Sequence, residues 1–223
     1  MITANVIHRV FRMRYGDRRG TAFTLDVESR QYLVTAKHLV HDMPRDTDIG
    51  LFGNSEWHPL TVKLVGHCRD GVDISILSPS SRLTPPNLHL DANSDGAIYG
   101  QDVYFLGFPY DYVSRIAFTD RGYPLPFVKK ATLSLFDKEL FLLDGQNNPG
   151  FSGGPVVFQS INEGNRLKVA AVISGYRAVH EPVFLGEEQT PLAYRYNTGI
   201  IVSYSINEAL AVVAASPTGL VLD

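Results

Sequence analysis

The chain has 223 residues, 44% of them hydrophobic, and 20 Lys and Arg against 23 Asp and Glu give a formal net charge of −3. That is enough apolar chain for a self-sufficient core, and a pI near 6.1 argues against a general binder of nucleic acid or anionic membrane. A single cysteine, Cys68, excludes an intramolecular disulfide; with no basic-then-apolar leader and no apolar run of membrane-spanning length, a cytoplasmic protein is expected.

Short apolar segments rich in Val, Ile, Leu, Phe and Tyr, broken by Gly, Pro, Asn or Asp at roughly ten-residue spacing, predict an all-β chain. In chain order the expected strands cover residues 6–13, 21–27, 32–35, 61–66 and 74–77 in the first half. In the second half they cover 103–108, 127–136, 140–143, 155–160, 167–174 and 199–204. The arginines near the start, Arg9, Arg12, Arg14, Arg18 and Arg19, read as solvated strand faces. Between residues 78 and 100 the chain turns polar and proline-rich, which places a boundary between two similar halves there. One helix is expected: Ser205 caps it, Ile206, Ala209, Leu210 and Val213 share one face, and Pro217 follows. The expected architecture is two six-stranded antiparallel β-barrels with a C-terminal α-helix. Its parts are a first barrel over 1–85, a linker over 86–100, a second barrel over 101–204, and a helix and tail over 205–223, the tail read as loose.

Three segments carry chemistry. Asn148-Pro149-Gly150-Phe151-Ser152-Gly153-Gly154-Pro155 wedges a serine among residues that permit tight turns and converging backbone N–H groups. A serine hydroxyl needs a base, and His38 ends the predicted strand of Arg30-Gln31-Tyr32-Leu33-Val34-Thr35-Ala36-Lys37-His38, where rigid sheet holds the ring. His41, one helical turn on, is the nearest rival. Asp73, opening Asp73-Ile74-Ser75-Ile76-Leu77, is an acid at a strand edge able to fix the histidine tautomer; Asp70 is the local alternative.

Read together in the order His, Asp, Ser, these segments resemble the trypsin-like (chymotrypsin-fold) serine proteases, and most of all their disulfide-free, high-temperature-requirement (Deg-type) branch. Gly20-Thr21-Ala22-Phe23 and Val103-Tyr104-Phe105-Leu106-Gly107-Phe108-Pro109 extend the likeness, as does Ile200-Ile201-Val202 leading to the terminal helix. The resemblance implies Ser152 as nucleophile, His38 as general base and Asp73 as orienting carboxylate, with the Gly150 and Ser152 N–H groups forming the oxyanion hole. It also implies a polypeptide substrate lying along Ser174, Gly175 and Tyr176, with Ser174 supporting Asp73. The primary pocket is expected to have Gln146, a neutral side chain, at its base and Tyr176 narrowing it, which disfavours strict cleavage after Lys or Arg. Phe151 stands where many secreted relatives carry the acid that pairs with a new N-terminal amine, so activation by that ion pair is not expected. Within these 223 residues no PDZ-like domain is expected after the helix.

Two other readings fit parts of the chain. Gly150-Phe151-Ser152-Gly153-Gly154 matches the G-x-S-x-G turn of α/β hydrolases, but that fold needs a helix after the serine and Asp and His downstream, whereas a strand follows here. A protease-like binding module with a silent or latent site keeps the barrels without the chemistry. No metal or cofactor site is expected: the adjacent His67 and Cys68 lack ligand spacing, and no phosphate-binding glycine loop is present. Regulatory partner and oligomeric state are left open.

Overall fold

A computed structural model describes residues 2–85, 87–114 and 117–222; Pro86 of the expected linker and Asp223 of the expected tail lie outside them. A one-turn helix α1 (Ala4–Ile7) precedes β1 (Val10–Tyr15), β2 (Arg18–Val27) and β3 (Arg30–Thr35). After the single turn α2 (Lys37–Val40) come β4 (Asp46–Gly53), β5 (Glu56–His67) and β6 (Ser75–Pro79). A short β7 (Asp91–Ala92) leads to β8 (Asp102–Gly107), β9 (Phe127–Phe136), β10 (Leu140–Asp144) and β11 (Pro155–Ser160). The chain closes with β12 (Arg166–Leu185), β13 (Glu188–Ser205), α3 (Ile206–Ala215) and β14 (Leu220–Val221).

Strands β3-β2-β1-β4-β5-β6 pair in that order, and β3 also pairs with β6, closing a six-stranded antiparallel barrel. The second sheet runs β11-β8-β9-β10-β13-β12, and β11–β12 pairing closes the ring. This is the two-barrel, chymotrypsin-like architecture that the apolar pattern and the family resemblance imply. Phe11, Met13, Leu33, Leu51 and Val62 fill the first barrel, and Phe105, Phe141, Phe158, Val156 and Ile201 fill the second. A third cluster glues the barrels together: Val10, Phe23, Val34 and Ile76 from the first meet Leu106, Phe108, Val157 and Val172 from the second, with Ile206, Ala209 and Val213 of α3. Burying that much apolar surface on both sides of the seam makes it a rigid place to mount a site.

Local differences from expectation have physical reasons. Residues 6–13 divide into α1 and β1, because Val6 turns into the inter-barrel core with its helix. The unforeseen β4 contains Asp46, Asp48, Gly50 and Gly53, poor strand formers, yet Ile49 and Leu51 alternate inward and set its pleat. Its hairpin to β5 closes through Asn54 and Ser55, both at positive φ (47° and 69°), the geometry of a tight two-residue turn. The tail is not loose: Leu220 and Val221 pair with Gln31 and Arg30 of β3, and the Arg30 guanidinium donates to Gly219 O at 2.9 Å.

Nor are the arginines simply solvated. Arg9 and Arg12 are 1% and 6% exposed, which requires partners. Arg9 pairs with Asp26 at 2.8 Å. Arg12 pairs with Asp111 at 2.8 Å while lying over Phe52 and Trp57. Arg18 is taken up by Asp42 and His41, and Arg19 by Asp111. Among the described residues no helix is long and apolar enough to cross a membrane.

Candidate active site

His38 rides on α2, a turn anchored through buried Leu39 and Val40 in the first barrel's core, so that His38 and Lys37 face outward. Asp73 follows a tight loop in which Gly71 takes φ +88° and Cys68 N–H donates to Ile74 O at 2.9 Å. Three donors converge on its carboxylate. His38 N–H reaches Oδ1 at 2.7 Å, His38 Nδ1 lies 2.6 Å from Oδ2, and Ser174 Oγ donates to Oδ2 at 2.6 Å. Burial pushes the Asp73 carboxyl up, but the hydrogen bonds from His38 and Ser174 and the nearby imidazole outweigh it, and its pKa falls below the usual value. An ionised carboxylate only accepts, so the proton between the two groups sits on His38 Nδ1, and in the neutral ring Nε2 is the open acceptor.

The alternatives are occupied elsewhere. Asp70 is fully exposed and faces Lys37 Nζ at 3.5 Å. His41 Nδ1 accepts from Arg18 at 2.8 Å. Burial pushes the Cys68 thiol up to about 12, removing it as a competing thiolate nucleophile.

Ser152 lies at the seam. Its carbonyl accepts from Thr21 N–H of β2 at 2.9 Å, and its hydroxyl donates to the Ser174 carbonyl at 2.9 Å. Ser174 thus joins Ser152 through its backbone to Asp73 through its side chain, and Asp73 holds His38. The Ser152 hydroxyl rests on Ser174, not on His38.

Two glycines make this loop possible. At Gly150, φ +105°, a Cβ would sit 2.1 Å from Phe108 O. At Gly153, φ +84°, one would sit 2.1 Å from Thr21 O, across the seam. Among the described residues neither Gly150 nor Ser152 N–H donates to a protein acceptor, while Gly153 N–H is used by Ile173 O at 2.7 Å.

Several positioning groups are invisible to motif reading because they act across the fold. The buried Thr21 hydroxyl donates to Gly150 O at 2.7 Å and accepts from Phe108 N–H at 3.3 Å, which fixes the peptide after Gly150. The Pro109–Asp111 turn holds Tyr110 and Asp111 at φ 50° and 59°, a costly backbone that persists only when it is over-determined. Arg12 and Arg19 clamp Asp111, and Tyr110 N–H donates to Pro149 O at 2.8 Å beside the serine loop. The Gln146 side chain is exposed; the buried amide is its neighbour Asn147, whose Nδ2 donates to Gly175 O at 2.9 Å. Tyr176 is half-buried, with the Arg195 guanidinium 5.5 Å from its ring centre. Lys129 Nζ bonds Gln146 O and Asn148 Oδ1, and burial lowers its pKa.

Phe151 is fully buried and packs edge-on against Phe105 at 4.9 Å. A Cβ on Gly107 would lie 2.7 Å from Phe151 Cδ1, so the ring fills its slot closely. Phe151→Ala should lower unfolding free energy by about 3–5 kcal/mol, read as a shift in denaturant midpoint at constant m-value; a loss under about 1 kcal/mol would show that the ring is not the loop's anchor.

A family model described as the trypsin-like peptidase domain matches residues 20–163. No curated protein sequence matches the chain. Among solved structures, the Rv3671c protease in its inactive form aligns at TM-score 0.54 and 18% identity, covering 96% of this chain and 91% of that one. The serine endoprotease from Yersinia pestis aligns at TM-score 0.60 and 16% identity, covering 96% and 67%. The HtrA-type protease AlgW with a tripeptide aligns at TM-score 0.56 and 17% identity, covering 95% and 61%. At these identities the likeness establishes the fold. The chain spans 67% and 61% of the length of the latter two.

Proposed function

The chain belongs to the trypsin-like peptidase family of serine proteases, and from that premise we propose that Ser152, His38 and Asp73 form the catalytic triad of an endopeptidase that works through an acyl-enzyme. The observation that carries this reading is the continuous chain of contacts from Ser152 through Ser174 and Asp73 to His38. An antiparallel substrate strand entering beside Ser174 offers its own N–H to the Ser174 carbonyl. That competes with the Ser152 hydroxyl and favours its rotation by one staggered well toward His38 Nε2. Ser152 Oγ then bonds to the scissile carbonyl carbon as its proton passes to Nε2. The oxyanion develops beside the unused N–H groups of Gly150 and Ser152, where each donor contributes on the order of a hundred- to a thousandfold in rate. Collapse breaks the C–N bond, and Nε2–H protonates the leaving amine. Water repeats the sequence on the ester and frees the acid.

Gln146, Asn147, Gly175 and Tyr176 supply no carboxylate to pair with a basic side chain, and the Lys129 ammonium beside Gln146 O repels one. Uncharged residues before the scissile bond are favoured. Mass-spectrometric profiling of a peptide library tests this: Ser152-dependent cleavage after uncharged residues is expected, and cleavage confined to Lys and Arg sites contradicts it. The resting contact of Ser152 with Ser174 favours one competing reading, a latent module that never frees the hydroxyl; it gives no Ser152-dependent products in the same assay.

A further inference from the structure

Strands β12 and β13 do not stop at the barrel. Residues 177–198 continue as a two-stranded ribbon, paired from Ala178↔Asn197 to Leu185↔Glu188 and standing about 25 Å long at roughly 3.3 Å per residue. β11 leaves β12 at Val172, and β10 leaves β13 at Ile200. Among the described residues no strand covers the outer edge of β12 beyond Val172. Asn147 ties the base to Gly175 and accepts from Asn197 Nδ2 at 2.6 Å, while Thr198 Oγ1 donates to Arg177 O at 2.9 Å.

The backbone groups that point out of this edge follow from a proline. Pro182, opposite Ala193, has no N–H and cannot complete a hydrogen-bonded pair with β13, so it occupies a position whose backbone faces away. The register runs unbroken from Ala178 to Pro182, and by the two-residue period the N–H and C=O groups of Ala178 and His180 also face outward. The open edge of the ribbon therefore presents the backbone groups of Ala178 and His180, and Pro182 ends it. One face of the ribbon carries exposed Val179 opposite Tyr196, and Tyr194 opposite Glu181.

We infer that the β12 edge over Ala178 to His180, beyond the Ser174–Tyr176 wall that the family resemblance already implies, is an extended site for the segment of a polypeptide substrate that precedes the scissile bond, which adds to it as a further strand. This rests on Ser152 being the nucleophile. β12 runs from the Ser152 neighbourhood outward, so an antiparallel strand laid on it runs inward to Ser152, and the part on Ala178 and His180 is N-terminal to the cleaved bond. The surface is continuous with the Ser174–Tyr176 wall of the site, which makes the substrate chain its occupant. Backbone pairing supplies affinity, and an apolar side chain beside Val179 is selected. The substrate class is an unfolded or disordered polypeptide free for at least seven or eight residues before the bond.

The test compares two quenched fluorogenic peptides sharing the scissile residues found by library profiling, one with three residues before the bond and one with eight. The longer should show kcat/KM about tenfold higher, the worth of two added backbone hydrogen-bonded pairs. N-methylation at the peptide positions facing Ala178 and His180 should abolish that gain, methylation at the residue between them should not, and Val179→Asp should bring the ratio toward one. Equal kcat/KM for both peptides, with cleavage dependent on Ser152, overturns the extended site and leaves the protease reading intact. A ratio of one together with a dimer that sedimentation shows is lost on Tyr194→Ser and Tyr196→Ser assigns the ribbon to a second copy and equally overturns it. If neither peptide is cleaved and Ser152 reacts with no acylating probe, the proposed function and this inference fall together.

Discussion

Replacing Ser152 with alanine is expected to lower kcat by roughly a millionfold, and His38→Ala by a similar factor, because nucleophile and base act as one unit whose members cannot substitute for each other. Neither change should cost much stability. Ser152 spends its side chain on one hydrogen bond to Ser174 O, and His38 is half exposed on a turn held by Leu39 and Val40. The double variant should be no worse than either single one, the signature of a concerted unit as opposed to two independent contributions. Initial rates on the best library peptide, with circular dichroism to confirm folding, measure this. A folded Ser152→Ala protein turning over within tenfold of the parent would remove Ser152 from the chemistry.

Asp73→Asn is expected to cost about ten-thousandfold in kcat. An asparagine keeps the shape, but its amide can donate to Nδ1, which stabilises the tautomer with the proton on Nε2 and leaves no base facing Ser152. The charge that balances the transient imidazolium also goes. Stability gives an independent readout. The Asp73 carboxyl is shifted below its usual value, so its network stabilises the fold above about pH 4 and that contribution disappears as pH falls through the depressed value. The Asn variant should lack this acid-side slope in urea denaturation. A loss in kcat below tenfold would indicate that His38 is oriented by something other than Asp73.

Much of this was legible in the chain because it is local. Val103–Phe108 and Pro155–Ser160 are short apolar runs between turn residues, and they pair as strands. Ser205 before Ile206, Ala209 and Val213 reads as a cap on an amphipathic turn; its Oγ accepts from Asn207 N–H. What escaped reading is what depends on distant partners. The ribbon over 177–198 has little burial on either face, so it carries no alternating apolar signal, and only cross-strand register defines it. Counting back from Ser152 reaches Gln146 but does not say how far a side chain is buried: Gln146 is exposed and its neighbour Asn147 is buried. Thr21 is read in sequence only within the Gly20-Thr21-Ala22-Phe23 likeness, with no role of its own. Its hydroxyl bridges two segments of the other barrel, Gly150 and Phe108, a role set by tertiary contact. Buried Arg12 likewise depends on Asp111, Phe52 and Trp57, remote in sequence.

The most direct measurement is reaction of the folded protein with a fluorophosphonate, followed by intact-mass analysis and peptide mapping. One adduct per chain is expected, on the Ser152 hydroxyl, abolished in Ser152→Ala and greatly slowed in His38→Ala. A folded, unlabelled protein, or an adduct on another serine that survives Ser152→Ala, would contradict a nucleophile at Ser152.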